Sequence, residues 1–336
     1  MAVRPLRILT WHVHGTYLWY LSHIGHELVV PTKPGHPPGY AGRAGLWPWP
    51  PTVREVPSDA VASLELDAVL HQSHENWAVD RHELLSPAQR RLPQIVLEHD
   101  PPRASPTDTR HPVDDPDALI VHVTHFNDLM WDTGRTPTTV IEHGVTVPDG
   151  ITYAGSVERG IVAVNNLAGR GRRLGADIVD RVRRRVPLDI VGLGAESAGG
   201  LGEVPPPEMP AFLADYRFYF HPVRYTSLGL SLCEAMAVGV PVVGLATTEL
   251  PAVVDDGFTG FVSTDVTRLE DDMRRLLDDP DLARRVGARG REVARERFAI
   301  GRFVRDWEML LASACGATGL TAVGWAGAQG SGSAAF

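Results

Sequence analysis

The stretch Tyr219-Phe220-His221-Pro222-Val223-Arg224-Tyr225-Thr226-Ser227-Leu228-Gly229-Leu230-Ser231-Leu232-Cys233-Glu234-Ala235-Met236-Ala237-Val238-Gly239-Val240-Pro241-Val242-Val243 decides the architecture. It predicts a buried strand over Phe218–Phe220, then a turn holding Ser227 and Gly229. A helix follows from Leu228 to Val238, stopped by Gly239, and Pro241 opens a second strand over Val240–Gly244. A strand that turns directly into a helix points unpaired backbone N–H groups outward. The helix dipole adds partial positive charge, so the turn suits an anion. Glu234, a turn or more into the helix, is placed to accept the paired hydroxyls of a ribose. The plainer reading of the same residues is an ordinary strand–turn–helix capped by Ser227.

Working outward, short apolar runs alternate with helical patterns along the chain, which predicts an α/β protein with parallel sheets. In the first half, strands are predicted at Leu6–Trp11, Glu27–Val30, Ala68–Leu70, Gln94–Leu97, Leu119–Val123 and Thr139–Ile141. In the second half they fall at Gly160–Val164, Leu188–Val191, Phe218–Phe220, Val240–Gly244 and Gly260–Val262. Leu174, Ile178 and Val182 recur at four-residue spacing and predict an amphipathic helix over Leu174–Val186. Its arginines at 181–185 read as a solvated face rather than a lipid contact. Residues 31–57, dense in Pro, Gly and Trp, and 100–118, dense in Pro and Asp, read as binding loops, lids or unstructured segments. A seam falls near Pro148–Tyr153.

At 336 residues and 43% apolar, the chain has material for two domains and excludes disordered and small disulfide-stapled classes. Its net charge of -9 argues against nucleic acid as a partner. Residues 1–150 hold 11 basic and 18 acidic side chains, so most of the acidic excess lies there. Lys33 is the only lysine, which leaves anion binding to arginine. Cys233 and Cys315 have no metal or redox spacing, and two thiols in this length fit a reducing compartment. With no leader-like segment and no run of 18 apolar residues, a soluble, cytoplasmic protein is expected.

Thirteen of the fourteen histidines precede residue 144. His12 and His14 follow the first strand, His71 and His74 the Ala68 strand, and His99 the Gln94 strand. His122 and His125 end the Leu119 strand, and His143 follows the Thr139 strand. In an open parallel sheet these strand ends share one edge, where ligands bind. Most single histidines there read as satisfied polar residues; the group as a whole reads as a functional cleft. His12-x-His14, His71-x-x-His74 and His122-x-x-His125, with Asp100 or Glu75, are the competing metal-ligand pairs. They have no i, i+4 helical spacing and no accompanying Cys cluster, so no metal is assigned. Trp47 and Trp49 offer aromatic faces on which a sugar or other ring can stack, beside His12, His14 and His74.

The segment from Pro222 to Val243 resembles the nucleotide-sugar signature of retaining GT-B glycosyltransferases of family 4, also called glycosyl transferases group 1. Pro222, Arg224, Gly229, Leu230, Glu234, Ala235, Met236, Ala237, Gly239, Pro241 and Val242 stand at matching positions, and Asp256-Gly257-Phe258-Thr259-Gly260 is similar to the turn that follows in that family. Weaker similarities are Gly25-His26-Glu27-Leu28, His143-Gly144-Val145, Ile161–Gly171 and Gly192-Leu193-Gly194. The resemblance implies two Rossmann-like domains with parallel sheets facing across a central cleft. Residues 1–149 would bind acceptor and 150–298 the nucleotide sugar. A helix over 299–315 would pack back toward the first domain, and 316–336 would be a disordered tail.

The resemblance also implies roles. His99 would touch the transferred sugar and, with Arg170, serve catalysis. Gly15 with His14 would face donor and acceptor. Ser227, Leu228 and Gly229 would offer backbone donors to the diphosphate, and Arg170 and Arg172 would neutralise it. Asn166, Thr226 and Leu230 would also line the donor site, and Glu234 would hold the ribose. Three departures stand out. Thr226 replaces the first glutamate of the E-x7-E pair, Asn165-Asn166 replace Gly-Arg, and Arg170 replaces lysine, keeping charge and bidentate geometry. The activity implied is transfer from a UDP- or GDP-linked sugar to a small-molecule acceptor, with retention and without cofactor or metal. The alternatives are a degenerate or pseudo-transferase that only binds nucleotide or sugar, and a histidine-rich metal-dependent hydrolase. A dinucleotide fingerprint at Gly192-Leu193-Gly194-Ala195 is incomplete and leads into Gly199-Gly200-Leu201-Gly202 rather than a helix. The sequence does not specify an oligomeric state.

Overall fold

The structure, a computed structural model, describes residues 4–316. Of the predicted disordered tail, residues 317–336 lie outside the described residues. Seven parallel strands form the first sheet: β1 (Arg7–Thr10), β2 (Glu27–Thr32), β3 (Val53–Pro57), β4 (Ala68–His71), β5 (Gln94–Glu98), β6 (Ala118–His122) and β7 (Thr138–Val140), in the order β3-β2-β1-β4-β5-β6-β7. The second holds β8 (Val157–Ala163), β9 (Leu188–Val191), β10 (Tyr216–His221), β11 (Val242–Leu245) and β12 (Gly260–Ser263), in the order β12-β11-β10-β8-β9, again all parallel. Strands covered on both faces read as continuous apolar runs, and Leu28–Val30, Ile95–Leu97 and Phe218–Phe220 are buried throughout.

The crossovers carry α1 (Gly15–Leu21), α2 (Arg81–Leu84) and α3 (His125–Met130) in the first domain. The second domain has α4 (Leu167–Arg170), α5 (Ala176–Val182), α6 (Met209–Ala214), α7 (Leu230–Val238), α8 (Leu250–Val253), α9 (Val266–Asp278) and α10 (Pro280–Arg297). Asp265 and Asp279 cap α9 and α10, accepting the N–H of Thr267 and Leu282 at 2.8 and 2.9 Å. The last helix, α11 (Ile300–Ala314), crosses back to the first domain. There its buried Phe303 and Trp307 meet Tyr17 of α1, and Trp307 Nε1–H donates to the Tyr17 hydroxyl at 3.3 Å. No described helix is long and apolar enough to cross a membrane.

Strand order reverses direction between β1 and β4 in the first sheet and between β8 and β10 in the second. Chain returns diverge at such a point and leave a crevice at the carboxyl ends of the strands. Both crevices open into one cleft of about 560 Å³ between the domains.

Two sequence expectations change. Residues 31–57 contain a real strand, β3, paired in parallel with β2 from Leu28–Val53 to Thr32–Pro57. It is an edge strand with Val53 and Val56 buried, and the surrounding Pro48, Pro50, Pro51 and Pro57 hide its pattern. The helix expected over Leu174–Val186 is shorter than that: Gly175 adopts a left-handed φ of +86°, so a 3-10 turn over Gly171–Leu174 ends before it and α5 runs only from Ala176 to Val182. Leu174, Ile178 and Val182 still face the core. The arginines at 181 and 185 both reach the buried Glu270 of α9, so this basic face is a strut between helices.

A Cβ at Gly175 would lie on the Pro222 carbonyl, immediately before the turn that leads to α7. Gly175→Ala is expected to destabilise the fold by about 2 kcal/mol or more, through left-handed strain plus displacement of that turn. Urea titration of the variant against wild type measures this.

Candidate active site

The second-domain wall is built by the turn after β10. The residue at the cap of α7 is Gly229, not Ser227, and no side chain caps the helix. The Leu230 and Ser231 amides therefore keep their hydrogen-bonding capacity for something in the cleft, which Thr226 to Ser231 line, while the Leu232 N–H donates to the Gly229 carbonyl at 3.2 Å. The turn is held from the opposite domain, where His143 Nε2–H donates to the Leu228 carbonyl at 2.9 Å. Burial pulls the His143 imidazole down to about 4, so it is neutral at physiological pH.

Glu234 lies at the inner end of the cleft, buried, and the Tyr20 hydroxyl of α1 donates to its Oε1 at 2.6 Å. Burial raises the carboxyl to about 7, and the Tyr20 bond partly offsets that. A ligand hydroxyl donating to Glu234 would favour its ionised form in the same way.

From the first domain, His14 and His99 lie against each other with ring centroids 4.0 Å apart and planes tilted by 51°, and they line the cleft with Gly15. The His99 Nε2–H donates to Gln72 Oε1 at 3.1 Å, while Gln72 Nε2 donates to Thr10. Burial holds His99 well below its ordinary value, with His14 and His143 adding to the effect, so its Nδ1 keeps a lone pair for a hydroxyl donor. Gly15 sits under Trp47, where a side chain would collide with the indole.

Of the proposed residues, the structure brings His14, Gly15, Trp47, His99, Arg170, Thr226, Ser227, Leu228, Gly229, Leu230 and Glu234 onto one wall or the other of this cleft. Five others lie elsewhere. Arg172 is exposed and paired with Asp177 at 2.6 Å, because the 3-10 turn rotates it off the wall. Asn166 occupies a left-handed position opening α4, and its neighbour Asn165 takes the cleft position instead, with Oδ1 accepting the Leu193 N–H. His12 commits Nδ1 to the Gly42 carbonyl at 2.7 Å and its ring edges to Trp47 and Trp49. Trp49 joins Trp47 in an adjoining pocket of about 410 Å³ with His36, Arg43 and Glu55.

His74 faces away from the cleft into a cluster with Glu98 and His111, whose ligand atoms lie within 4.8 Å of one another. Hydrogen bonding decides against a metal there. The Val113 N–H donates to His111 Nδ1 at 3.1 Å, so Nε2 carries the proton and donates to Glu98 Oε2 at 3.1 Å. A metal would need that Nε2 lone pair. Of the other histidines expected on the shared rim, His71 is buried against Gln94 and Trp11 and His122 is buried near Asp128, while His125, at the start of α3, is exposed to solvent.

Asp100, read from sequence only as a metal-ligand candidate, His143, read only as a rim histidine, and Asn165, read only as a departure from the family pattern, also line the cleft. Tyr20, which the sequence did not single out, reaches it through Glu234. Arg103 and Arg173 form with Arg170 a group of guanidiniums close enough to act on one another. A run of four residues, Arg170-Gly171-Arg172-Arg173, was legible, but which arginine turns inward depends on the 3-10 geometry.

Comparison with known proteins places this site in context. Residues 195–293 match the family model described as Glycosyl transferases group 1. N-acetyl-alpha-D-glucosaminyl L-malate synthase of Bacillus anthracis is 38% identical over 86 residues, 25% of this chain and 23% of that protein. The MMP alpha-(1->4)-mannosyltransferase of Mycolicibacterium hassiacum is 30% identical over 211 residues, 55% of this chain and 51% of that protein. The chain thus spans from about a quarter to half the length of these curated relatives. Sucrose-phosphate synthase from Thermosynechococcus elongatus superposes with a TM-score of 0.69 at 16% identity, covering 94% of this chain and 100% of that one. The two parallel-sheet domains are accordingly those of the GT-B fold, and residues 195–293 carry its Glycosyl transferases group 1 domain.

Proposed function

We propose that the protein is a glycosyltransferase that moves a sugar from a UDP- or GDP-linked donor to a small-molecule acceptor, with retention and without a metal. The observation that carries this reading is the uncapped amino end of α7, set beside Arg170 and the buried Glu234 and facing His99 across one cleft. The amides and Arg170 suit a diphosphate, Glu234 suits a ribose diol, and His99 Nδ1 suits a sugar hydroxyl. In the transfer, the anomeric C–O bond to the β-phosphate breaks and the electron pair leaves with the diphosphate. The acceptor hydroxyl forms the new C–O bond on the same face, and its proton passes to the departing phosphate oxygen. Preorganised amides and guanidinium stabilise that leaving charge electrostatically.

The pocket floored by Trp47 and Trp49 adjoins the cleft through Trp47 and is the acceptor site in this reading. Thr226 favours a degenerate, binding-only transferase only insofar as a carboxylate is missing at that point, and Asp100 supplies one nearby. Two free cysteines, Cys233 buried and Cys315 half-buried, accord with a cytoplasmic setting.

Four variants and a pH series test this. The nucleoside diphosphate that most raises the melting temperature of wild type should lose that protection in Glu234→Ala, and Arg170→Ala should weaken its Kd roughly ten- to hundredfold, as expected for a charge-assisted contact. Affinity should also depend on pH. Glu234 is protonated below about 7 and must ionise to accept ribose hydroxyls, so the Kd should fall as pH rises from 5.5 and level off above about 7. In Tyr20→Phe, loss of the hydroxyl that lowers the carboxyl should move that midpoint to higher pH, as calorimetric titrations over this range would record. His99→Ala should depress turnover more than diphosphate affinity, measured by comparing kcat with Kd.

A further inference from the structure

We propose that Asp100 is the sugar-contacting carboxylate of the cleft, delivered by the first domain and aimed by Thr226 of the second; this rests on the nucleotide-sugar reading above. Asp100 follows His99 at the tip of β5 and lines the cleft. Four groups fix it. Its N–H donates to Glu98 Oε1 at 2.9 Å, and its carbonyl accepts the Trp131 Nε1–H at 2.8 Å. The Thr226 hydroxyl donates to Oδ1 at 3.0 Å across the domain boundary, and the Arg103 guanidinium holds Oδ2. Beside these, the Tyr225 hydroxyl donates to the Pro102 carbonyl at 2.9 Å, so the 100–102 turn is gripped at two points by the turn leading to α7.

The support beneath Asp100 is itself built around a buried charge. Glu98 is 6% exposed. Against the cost of burial, donation from His111, from His74 at 2.6 Å and from the Asp100 amide holds its carboxyl down at about 2. A buried carboxylate satisfied by two imidazoles and one amide fixes the turn that carries Asp100. This gives the His74–Glu98–His111 cluster a positioning role in place of a metal-binding one.

The charge around Asp100 identifies what it meets. Arg103, Arg170 and Arg173 lie within electrostatic reach of one another, and Asp100 acts on Arg173 and on His14. A carboxylate would repel a diphosphate held by Arg170, the one of the three that lines the cleft. It attracts the part of the ligand joined to that diphosphate, a neutral ring rich in hydroxyl donors. A carboxylate offers about four acceptor positions, and Thr226 and Arg103 use two. The remaining acceptor capacity, with the Nδ1 lone pair of His99, gives adjacent residues of one strand tip a paired grip on sugar hydroxyls.

The test separates sugar from diphosphate. Kd values are measured by calorimetry for UDP, GDP, UDP-glucose, UDP-N-acetylglucosamine and GDP-mannose, and the sugar nucleotide that wild type binds most tightly is carried forward with its own diphosphate. In Asp100→Asn the ratio of sugar-nucleotide Kd to diphosphate Kd should rise roughly ten- to hundredfold, with the diphosphate Kd itself unchanged. Thr226→Val, which removes only the aiming hydroxyl, should raise the same ratio by a smaller factor. An unchanged ratio in Asp100→Asn, whether both constants hold or both weaken together, overturns the inference and leaves Asp100 a strut between domains. Failure of wild type to bind any of the five compounds overturns the nucleotide-sugar reading itself, and the inference with it.

Discussion

In a sheet whose strands all run one way, every chain return passes outside the sheet, so all strand ends collect at one edge. Where the order of strands reverses, the returns separate and nothing fills the gap between them. This protein sets two such gaps against each other, one between β1 and β4 and one between β8 and β10. Everything chemical in the molecule hangs from those strand tips: His14 and Gly15 after β1, His99 and Asp100 after β5, Arg170 after β8, and the amides of α7 after β10. The scaffold is held by burial of continuous apolar strands, which leaves the tips free to vary in polar character.

The division of labour between the walls follows from dielectric considerations. The first domain contributes imidazoles kept neutral by burial, groups that donate or accept without carrying charge into the cleft. The second contributes a helix amino end and guanidiniums, fixed positive potential that needs no rearrangement when negative charge develops. Hydrogen bonds across the boundary, from His143 to Leu228, Tyr20 to Glu234 and Thr226 to Asp100, join the two sets. Each contributes about 1 kcal/mol net, so together they align the walls without locking them.

Local chemistry made the second-domain wall legible from sequence. Ser227 to Glu234 lie within one strand–turn–helix unit, and spacing alone brings them together. The parallel α/β class was legible for the same reason, since runs such as Ile95–Leu97 announce a strand covered on both faces. Other features required contacts between distant residues. Thr226 was visible as a departure from the family pattern, but its partner Asp100 is 126 positions away. His74 looked equivalent to His99 at a strand end; the Val113 N–H that fixes the tautomer of His111 separates their roles. Arg172 and Arg173 differ only by the rotation of a single tight turn, and β3 was obscured by prolines flanking a short edge strand.

The path of the backbone out of the second domain has a mechanical result. The chain passes from first domain to second through residues 141–156 and returns where α11 begins, and Val145 bridges Ala299 so that the outgoing and returning segments lie side by side. Two adjacent crossings behave as the paired pins of a door rather than a single tether. They permit rotation about a shared axle, which widens or narrows the far lip of the opening. They resist sliding and torsion, which keeps the strand tips of the two halves in one register.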